Sequence, residues 1–226
     1  MIAVIDYNMG NVGSVLNMLR KLGHPAKLTR DRADLLAANG LVLPGVGAFD
    51  RGMTNLRSLS LLDTLSECAL VRGTPVLGIC LGMQLLMSSS EEGTLPGLGW
   101  ISGQTKRFIF ASDGPKLRVP HMGWNQVVLH SRVNPTDCLA DLLFNGTDPL
   151  QRYYFVHSYH ACCSDDAHVL ATASYGRPFT AALGRGNIAG TQFHPEKSHR
   201  YGLKLMDNFA VFALRRNALH HLGAAP

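Results

Sequence analysis

The chain has 226 residues, 46% hydrophobic and 16% charged, a globular balance that suits one α/β domain with a substantial core. Its net charge of +5 comes from scattered Lys and Arg rather than a stripe interleaved with aromatics, which argues against nucleic acid and leaves a solvated surface or a patch facing a phosphorylated substrate or acidic partner. Five cysteines with no CxxC argue against a disulfide framework and against zinc, while the lack of a signal-peptide pattern and of any apolar run approaching about 18 residues points to the cytoplasm.

From the N-terminus, Ile2–Asp6 reads as a short apolar strand. Residues 11–22 carry Val12, Val15, Leu16, Leu19 and Leu22 on one face at helical spacing. Gly23 followed by Pro25 ends that helix, as a glycine C-cap with a proline behind it does. Ala26–Thr29 and Leu41–Leu43 read as strands, and Leu59–Val71 as a helix closed by Gly73. Pro75–Ile79 is a short apolar run that reads as a buried strand feeding Cys80, and Leu81–Met87 as the start of a helix. This alternation predicts a central, mainly parallel sheet flanked by helices on both faces.

Gly78 and Gly82 flank Cys80 at i−2 and i+2, the spacing of a nucleophile elbow with Cys in place of Ser. A tight strand-to-helix turn needs small neighbours so that the side chain can stand clear of the backbone. A thiol at a helix N-terminus also feels the positive end of the dipole, which favours thiolate. Taken alone, Cys80 reads equally well as a buried core cysteine.

Beyond residue 98, segments around 101–110, 116–119, 124–129, 152–157, 167–175, 179–184 and 187–193 read as strands, which suggests antiparallel additions to the sheet in the C-terminal half. Leu139–Phe144 forms one helical stretch. A last helix runs from about Ser198, its expected N-cap, to about Asn217, with Leu203, Met206, Phe209, Ala210 and Ala213 on its apolar face. A single domain is expected over residues 1–217, with 218–226 as a mobile tail. The strand over 187–193 runs into His194-Pro195-Glu196, where a period of two sets His194 and Glu196 on one side. A histidine that activates a thiol needs a third group to hold its tautomer, and a carboxylate two residues on supplies one. The combination points to Cys80 as nucleophile, His194 as acid and base, and Glu196 as its orienter.

The Cys80 elbow, Gly78-Ile-Cys-Leu-Gly-Met-Gln84, together with His194-Pro-Glu196 resembles the class I (triad) glutamine amidotransferases. The ordered set Asp6-Tyr-Asn-Met-Gly-Asn11, Pro44-Gly-Val-Gly-Ala-Phe49, Pro120-His-Met-Gly-Trp-Asn125 and Tyr154-Phe-Val-His-Ser-Tyr159 resembles the glutaminase subunits of imidazole glycerol phosphate synthase. The likeness covers about residues 2–212. It implies hydrolysis of L-glutamine to glutamate and ammonia through a thioester on Cys80. It implies an oxyanion hole built from the amide of Leu81 and a second donor at Val46 or Gly47, where glycine lets a peptide unit rotate between donor-in and donor-out states. Glutamine contacts are implied at Gly47, Gln84, Glu92 (with Glu91 the alternative by one position), His157, Ser158 and Tyr159. Partner contacts are implied at Asn11, His121, Met122, Trp124, Tyr154 and Lys197.

The partner that the resemblance implies is a separate (β/α)8-barrel cyclase subunit. It would use the ammonia to make imidazole glycerol phosphate and aminoimidazole carboxamide ribotide in histidine biosynthesis. No metal and no cofactor is expected; with neither a P-loop nor a nucleotide fingerprint, nothing in the chain could use the ammonia, which is why a partner is expected. Two other readings stay open: the glutaminase of another amidotransferase, such as anthranilate or aminodeoxychorismate synthase, and a stand-alone thiol hydrolase of γ-glutamyl substrates. The Pro-Gly-Val-Gly-Ala-Phe and His-Met-Gly-Trp-Asn runs fit the first of these poorly. Cys162-Cys163 belongs to no motif of the set.

Overall fold

The computed structural model describes residues 1–110, 117–130 and 138–222, and side chains as far as residue 215. The first half alternates β1 (Ile2–Ile5), α1 (Val12–Lys21), β2 (Ala26–Thr29), α2 (Arg32–Ala37), β3 (Gly40–Gly45), α3 (Phe49–Ser58), α4 (Leu62–Ser66), β4 (Val76–Cys80) and α5 (Leu81–Leu85). The second half is strand-rich: β5 (Met87–Ser90), β6 (Ile101–Arg107), β7 (His121–Gln126), β8 (Val128–Leu129), α6 (Leu139–Leu142), β9 (Arg152–His157), β10 (Tyr159–Cys163), β11 (Val169–Tyr175), β12 (Arg177–Arg185), β13 (Ile188–Thr191) and α7 (His199–Leu222).

Among the described residues the main sheet has eight strands in the order β2-β1-β3-β4-β13-β12-β11-β8. The first five run parallel, and β12, β11 and β8 are added antiparallel. Parallel strands covered on both faces need apolar residues on both, and β1 meets that demand. Its Ile2 and Val4 pack towards Val15 and Leu19 of α1 and Phe209 of α7, while Ala3 and Ile5 pack towards Leu35, Met53 and Leu65 of α2, α3 and α4. Gly40 opens β3 without a side chain because α7 crosses there, and a Cβ would come within 2.7 Å of the Ala213 Cβ.

The C-terminal half is therefore more divided than a run of antiparallel additions. β13 returns to pair parallel with β4, and two small sheets, β10-β6-β5 and β7-β9, stand apart from the main one. The helix expected over 81–87 stops at Leu85, and β5 begins at Met87, where it pairs parallel with β6. The helix expected over 59–71 starts at Leu62 and gives way to a π-helical turn over Glu67–Val71. α2 and α3 fall in stretches to which the sequence pattern assigns no element: α2 is short and capped by the Asp31 carboxylate on the Asp34 N–H, and α3 is largely polar. No strand forms at 117–119, and the rest of that expected strand, Lys116, lies outside the described residues. The last helix runs past Asn217 to Leu222. Residues 223–226 of the tail expected to be mobile lie outside the described residues. Among the described residues no helix is long and apolar enough to cross a membrane.

Candidate active site

Cys80 closes β4 with φ 53° and ψ −107°, a left-handed conformation that costs energy for any residue with a Cβ and is held by its surroundings. Both flanking glycines are demanded by contact. A Cβ on Gly78 would sit 2.7 Å from the Gly82 carbonyl carbon, and one on Gly82 would sit 1.8 Å from the Leu43 oxygen. α5 is so pulled against β3, and the amide of Leu81 opens the helix directly behind the sulfur. Because α5 is only five residues long, its dipole adds little to thiolate stability. The burden falls on side chains around the sulfur.

β3 runs beside the elbow with Gly45 in register with Cys80. Gly45 is also fixed by space: a Cβ there would meet the Tyr7 hydroxyl at 2.6 Å and the Gly82 nitrogen at 2.8 Å. The Tyr7 hydroxyl is buried with no hydrogen-bond partner among the described residues, and burial together with the nearby Cys80 raises its pKa. Past the strand end, Val46 is 49% exposed and Gly47 has φ +124°. The segment expected to supply the second oxyanion donor thus leaves the sheet beside Cys80 in a conformation that a glycine adopts readily.

β13 pairs with β4 from Ile188↔Val76 to Thr191↔Ile79, so the residues that follow Thr191 emerge beside Cys80. His194 is 1% exposed, and its Nδ1 lies 2.8 Å from Glu196 Oε1. The strand has already ended, and Pro195–Lys197 is a 3-10 turn. Glu196 therefore reaches the imidazole through that turn and not through strand periodicity. Ser198 precedes α7 as expected, but its hydroxyl donates to the His194 carbonyl at 2.6 Å and accepts the Tyr154 N–H at 3.0 Å. It anchors the histidine peptide instead of capping the helix.

Burial pulls the His194 pKa down, but the Cys80 sulfur and the Glu196 carboxylate outweigh it and push the pKa up to about 10. With Nδ1 committed to Glu196, Nε2 is the atom left to face the sulfur chemistry. His194 Nε2 and Glu196 Oε2 are buried without hydrogen-bond partners among the described residues. Buried polar atoms left unsatisfied on both His194 and Glu196 mark a site built for a ligand or a reaction more than for stability. The arrangement can move a proton between a thiol and an imidazole and hold the resulting ion pair.

The residues expected to bind glutamine fall into two groups. Glu92 accepts the Phe49 N–H at the start of α3 at 2.9 Å, beside the Gly47 segment, whereas Glu91 turns to the Arg107 N–H at 2.8 Å on β6. Of the two carboxylates, Glu92 is the one turned towards the Gly47 segment. Asp50, not singled out in the sequence, clamps the same loop by accepting the Thr94 and Leu95 N–H groups. Gln84 spends both amide protons inside the protein, on the Tyr159 carbonyl at 3.0 Å and on Gln192 Oε1 at 3.1 Å. His157 Nδ1 donates to the same Tyr159 carbonyl at 2.8 Å, and its Nε2 accepts from His121 Nδ1 at 3.0 Å. The Ser158 carbonyl accepts the Phe108 N–H at 3.0 Å. Gln192, also missed in the sequence, is fully buried with its Nε2 3.7 Å from Cys80 Sγ. A glutamine in a strand of small and apolar residues, two before the histidine, was its only signal.

The residues expected at a partner interface divide as well. Met122 is 62% exposed and Trp124 40% exposed on β7, Asn11 and Lys197 are exposed, and Tyr154 is half-buried. Trp124 stacks on His199 at 5.4 Å, and Lys197 Nζ lies 5.6 Å from the centre of the Tyr154 ring. His121 differs: it is 4% exposed and turned inward onto His157, so its side chain offers nothing to the surface. Cys162 and Cys163 lie on β10, and all five cysteines are free. Among the described residues no group of three His, Cys, Asp or Glu side chains is placed to hold a metal ion.

The sequence model of the class-I glutamine amidotransferases matches residues 3–212. An imidazole glycerol phosphate synthase subunit HisH 2 of Methanococcus maripaludis is 49% identical over 92% of this chain and 98% of that protein. A protein of the same name from Pseudomonas aeruginosa is 47% identical over the same shares, and the HisH subunit of Leptospira interrogans is 43% identical over 93% of this chain and 99% of its own. Among solved structures, a putative GMP synthase subunit from Thermoplasma acidophilum superposes with a TM-score of 0.69 over 97% of this chain and 96% of its own. At 20% identity that likeness concerns the fold alone.

Proposed function

The chain belongs to the class-I glutamine amidotransferases, and within them to the imidazole glycerol phosphate synthase subunit HisH family, and on that premise we propose that Cys80, His194 and Glu196 are its catalytic triad. It is a glutaminase subunit serving histidine biosynthesis. The triad is supported by a strained, glycine-flanked Cys80 near enough to His194 to raise its pKa, and by the His194 Nδ1 held at 2.8 Å by Glu196.

The sulfur of Cys80 gives its proton to His194 Nε2 and attacks the side-chain amide carbon of glutamine. The tetrahedral oxyanion is received by the Leu81 N–H and by a second amide from Val46 or Gly47. As the C–N bond breaks, the imidazolium returns its proton to the departing ammonia, which leaves a glutamyl thioester on Cys80. His194 then takes a proton from water, whose oxygen attacks the thioester, and glutamate leaves as the thiol is restored. Glu196 keeps the imidazole in the tautomer that both steps need. Gly47, Gln84, Glu92 and the His157–Tyr159 segment position the amino-acid end of the substrate. For Gln84 and His157 this is support from behind the pocket wall, since their polar atoms are engaged within the protein.

The ammonia passes to a cyclase subunit of (β/α)8-barrel form docked on the face that carries Met122, Trp124, Tyr154 and Lys197. Replacement of Cys80 by alanine tests the assignment. Cys80→Ala should lower glutamine-dependent synthesis by the complex by at least about a thousandfold and spare synthesis driven by added ammonium. Loss of both would make Cys80 a structural residue.

A further inference from the structure

We propose that Gln192 is a positioning residue that holds an amide N–H on the Cys80 sulfur and so favours the thiolate. The inference deepens the triad assignment and rests on Cys80 being the nucleophile.

The orientation of two buried amides decides which atom faces the sulfur. The Tyr159 carbonyl can only accept, so the Gln84 atom 3.0 Å from it is the amide nitrogen. The His157 Nδ1–H on the same carbonyl removes any competing arrangement there. The second N–H of Gln84 points at Gln192, 3.1 Å away, which must answer with its oxygen. Gln192 is then left with its nitrogen facing Cys80 Sγ at 3.7 Å. A flipped Gln192 would set two NH2 groups against each other and a carbonyl oxygen against the sulfur, losing both contacts in a site too buried for solvent to replace them. The donor is thus fixed on the sulfur by a carbonyl two residues removed.

Gln192 faces an opposing group. The Val156 carbonyl lies 3.8 Å from the sulfur, where it accepts the S–H of the neutral thiol and repels the thiolate. When the S–H bond breaks, the proton moves to His194 Nε2 and the electron pair stays on sulfur. The contact to Val156 turns unfavourable, and that to Gln192 becomes charge-assisted and stronger. Gln192 therefore tilts the thiol towards ionisation, which the short α5 helix does little to promote.

The test is the pH dependence of Cys80 alkylation by iodoacetamide, read at that residue by peptide mass spectrometry in the folded full chain. Gln192→Met removes the donor at similar volume, and Gln192→Glu puts an oxygen or a charge in its place. Both should move the alkylation midpoint to higher pH, the glutamate variant further than the methionine variant. Alkylation below the midpoint should slow by about tenfold for Gln192→Met. Unchanged midpoints in folded variants would overturn the proposal. Should neither variant fold, the side-chain amide protons of Gln192 in the unaltered protein are followed by NMR. They should shift as Cys80 ionises and lose that response in Cys80→Ala, and an amide indifferent to Cys80 would overturn the proposal equally. Alkylated protein that still hydrolyses glutamine would instead refute the nucleophile assignment itself, a separate outcome from midpoints that fail to move.

Discussion

At the scale of single residues, the proposed triad turns on the charge state of His194. Burial opposes the imidazolium, yet Cys80 and Glu196 raise the pKa to about 10, above the ordinary histidine value of 6.5. A raised folded-state pKa means that the proton is bound more tightly in the native protein. The stability it contributes is complete below about 6.5 and is lost as pH rises through about 10. Unfolding followed by urea at several pH values should show that alkaline loss in the unaltered protein and a smaller one in Cys80→Ala, where the sulfur's contribution to the raised pKa is gone. The alkaline limb of kcat/KM for glutamate release should lie well above neutrality, and a limb near pH 7 would contradict the ion pair. Glu196→Gln keeps the shape but holds the wrong tautomer, and kcat should fall by about a hundred- to ten-thousandfold. Burial holds His157 down at about 3 and His121 at about 4, so both stay neutral through this range and neither explains a limb near 7.

At the scale of elements, the elbow is a packing solution that tolerates no Cβ. Gly82→Ala, with its Cβ 1.8 Å from the Leu43 oxygen, should destabilise by more than about 3 kcal/mol in urea unfolding. Gly13→Ala in α1, where a Cβ meets nothing within 4 Å, should be neutral or stabilising by up to about 1 kcal/mol. A similar cost at both positions would refute the steric account. The same contrast explains what could be read from the chain beforehand. β1, α1, β3 and β4 were legible because apolar periodicity follows the layers that bury them, and the glycines at 78 and 82 because only one kind of turn needs both. α3 was not, since its residues are mostly polar and it is seated by the Glu92 and Asp50 carboxylates from and to a distant loop. The two small sheets were illegible for a related reason: a strand's partner is chosen by tertiary packing, and β13 looks no different from β12 until it pairs with β4. Gln192 escaped because its role depends on an amide orientation relayed through Gln84 from β10, which no local pattern encodes.

At the scale of the whole molecule, the site and the candidate docking face are two sides of one structure. The β7–β9 ribbon sets the Val156 carbonyl beside the Cys80 sulfur on its inner side and carries exposed Met122 and Trp124 outward. The His194 peptide is tied to Tyr154 of the same ribbon by a 2.9 Å hydrogen bond. A partner that grips this face would therefore press on the carbonyl beside the Cys80 sulfur and on the backbone of His194. Trp124→Ala should weaken association with the cyclase by about thirtyfold by isothermal titration while leaving the fold intact. An unchanged affinity would move the interface elsewhere. The most direct test of a glutaminase that works for a partner is glutamate release from glutamine by the purified chain, first alone and then with the cyclase loaded with its ribotide ligand. Little release alone and a large rise with the loaded cyclase, absent in Cys80→Ala, is the predicted result. Full-rate release by the chain alone, unchanged by the cyclase, would contradict the account and favour a stand-alone thiol hydrolase.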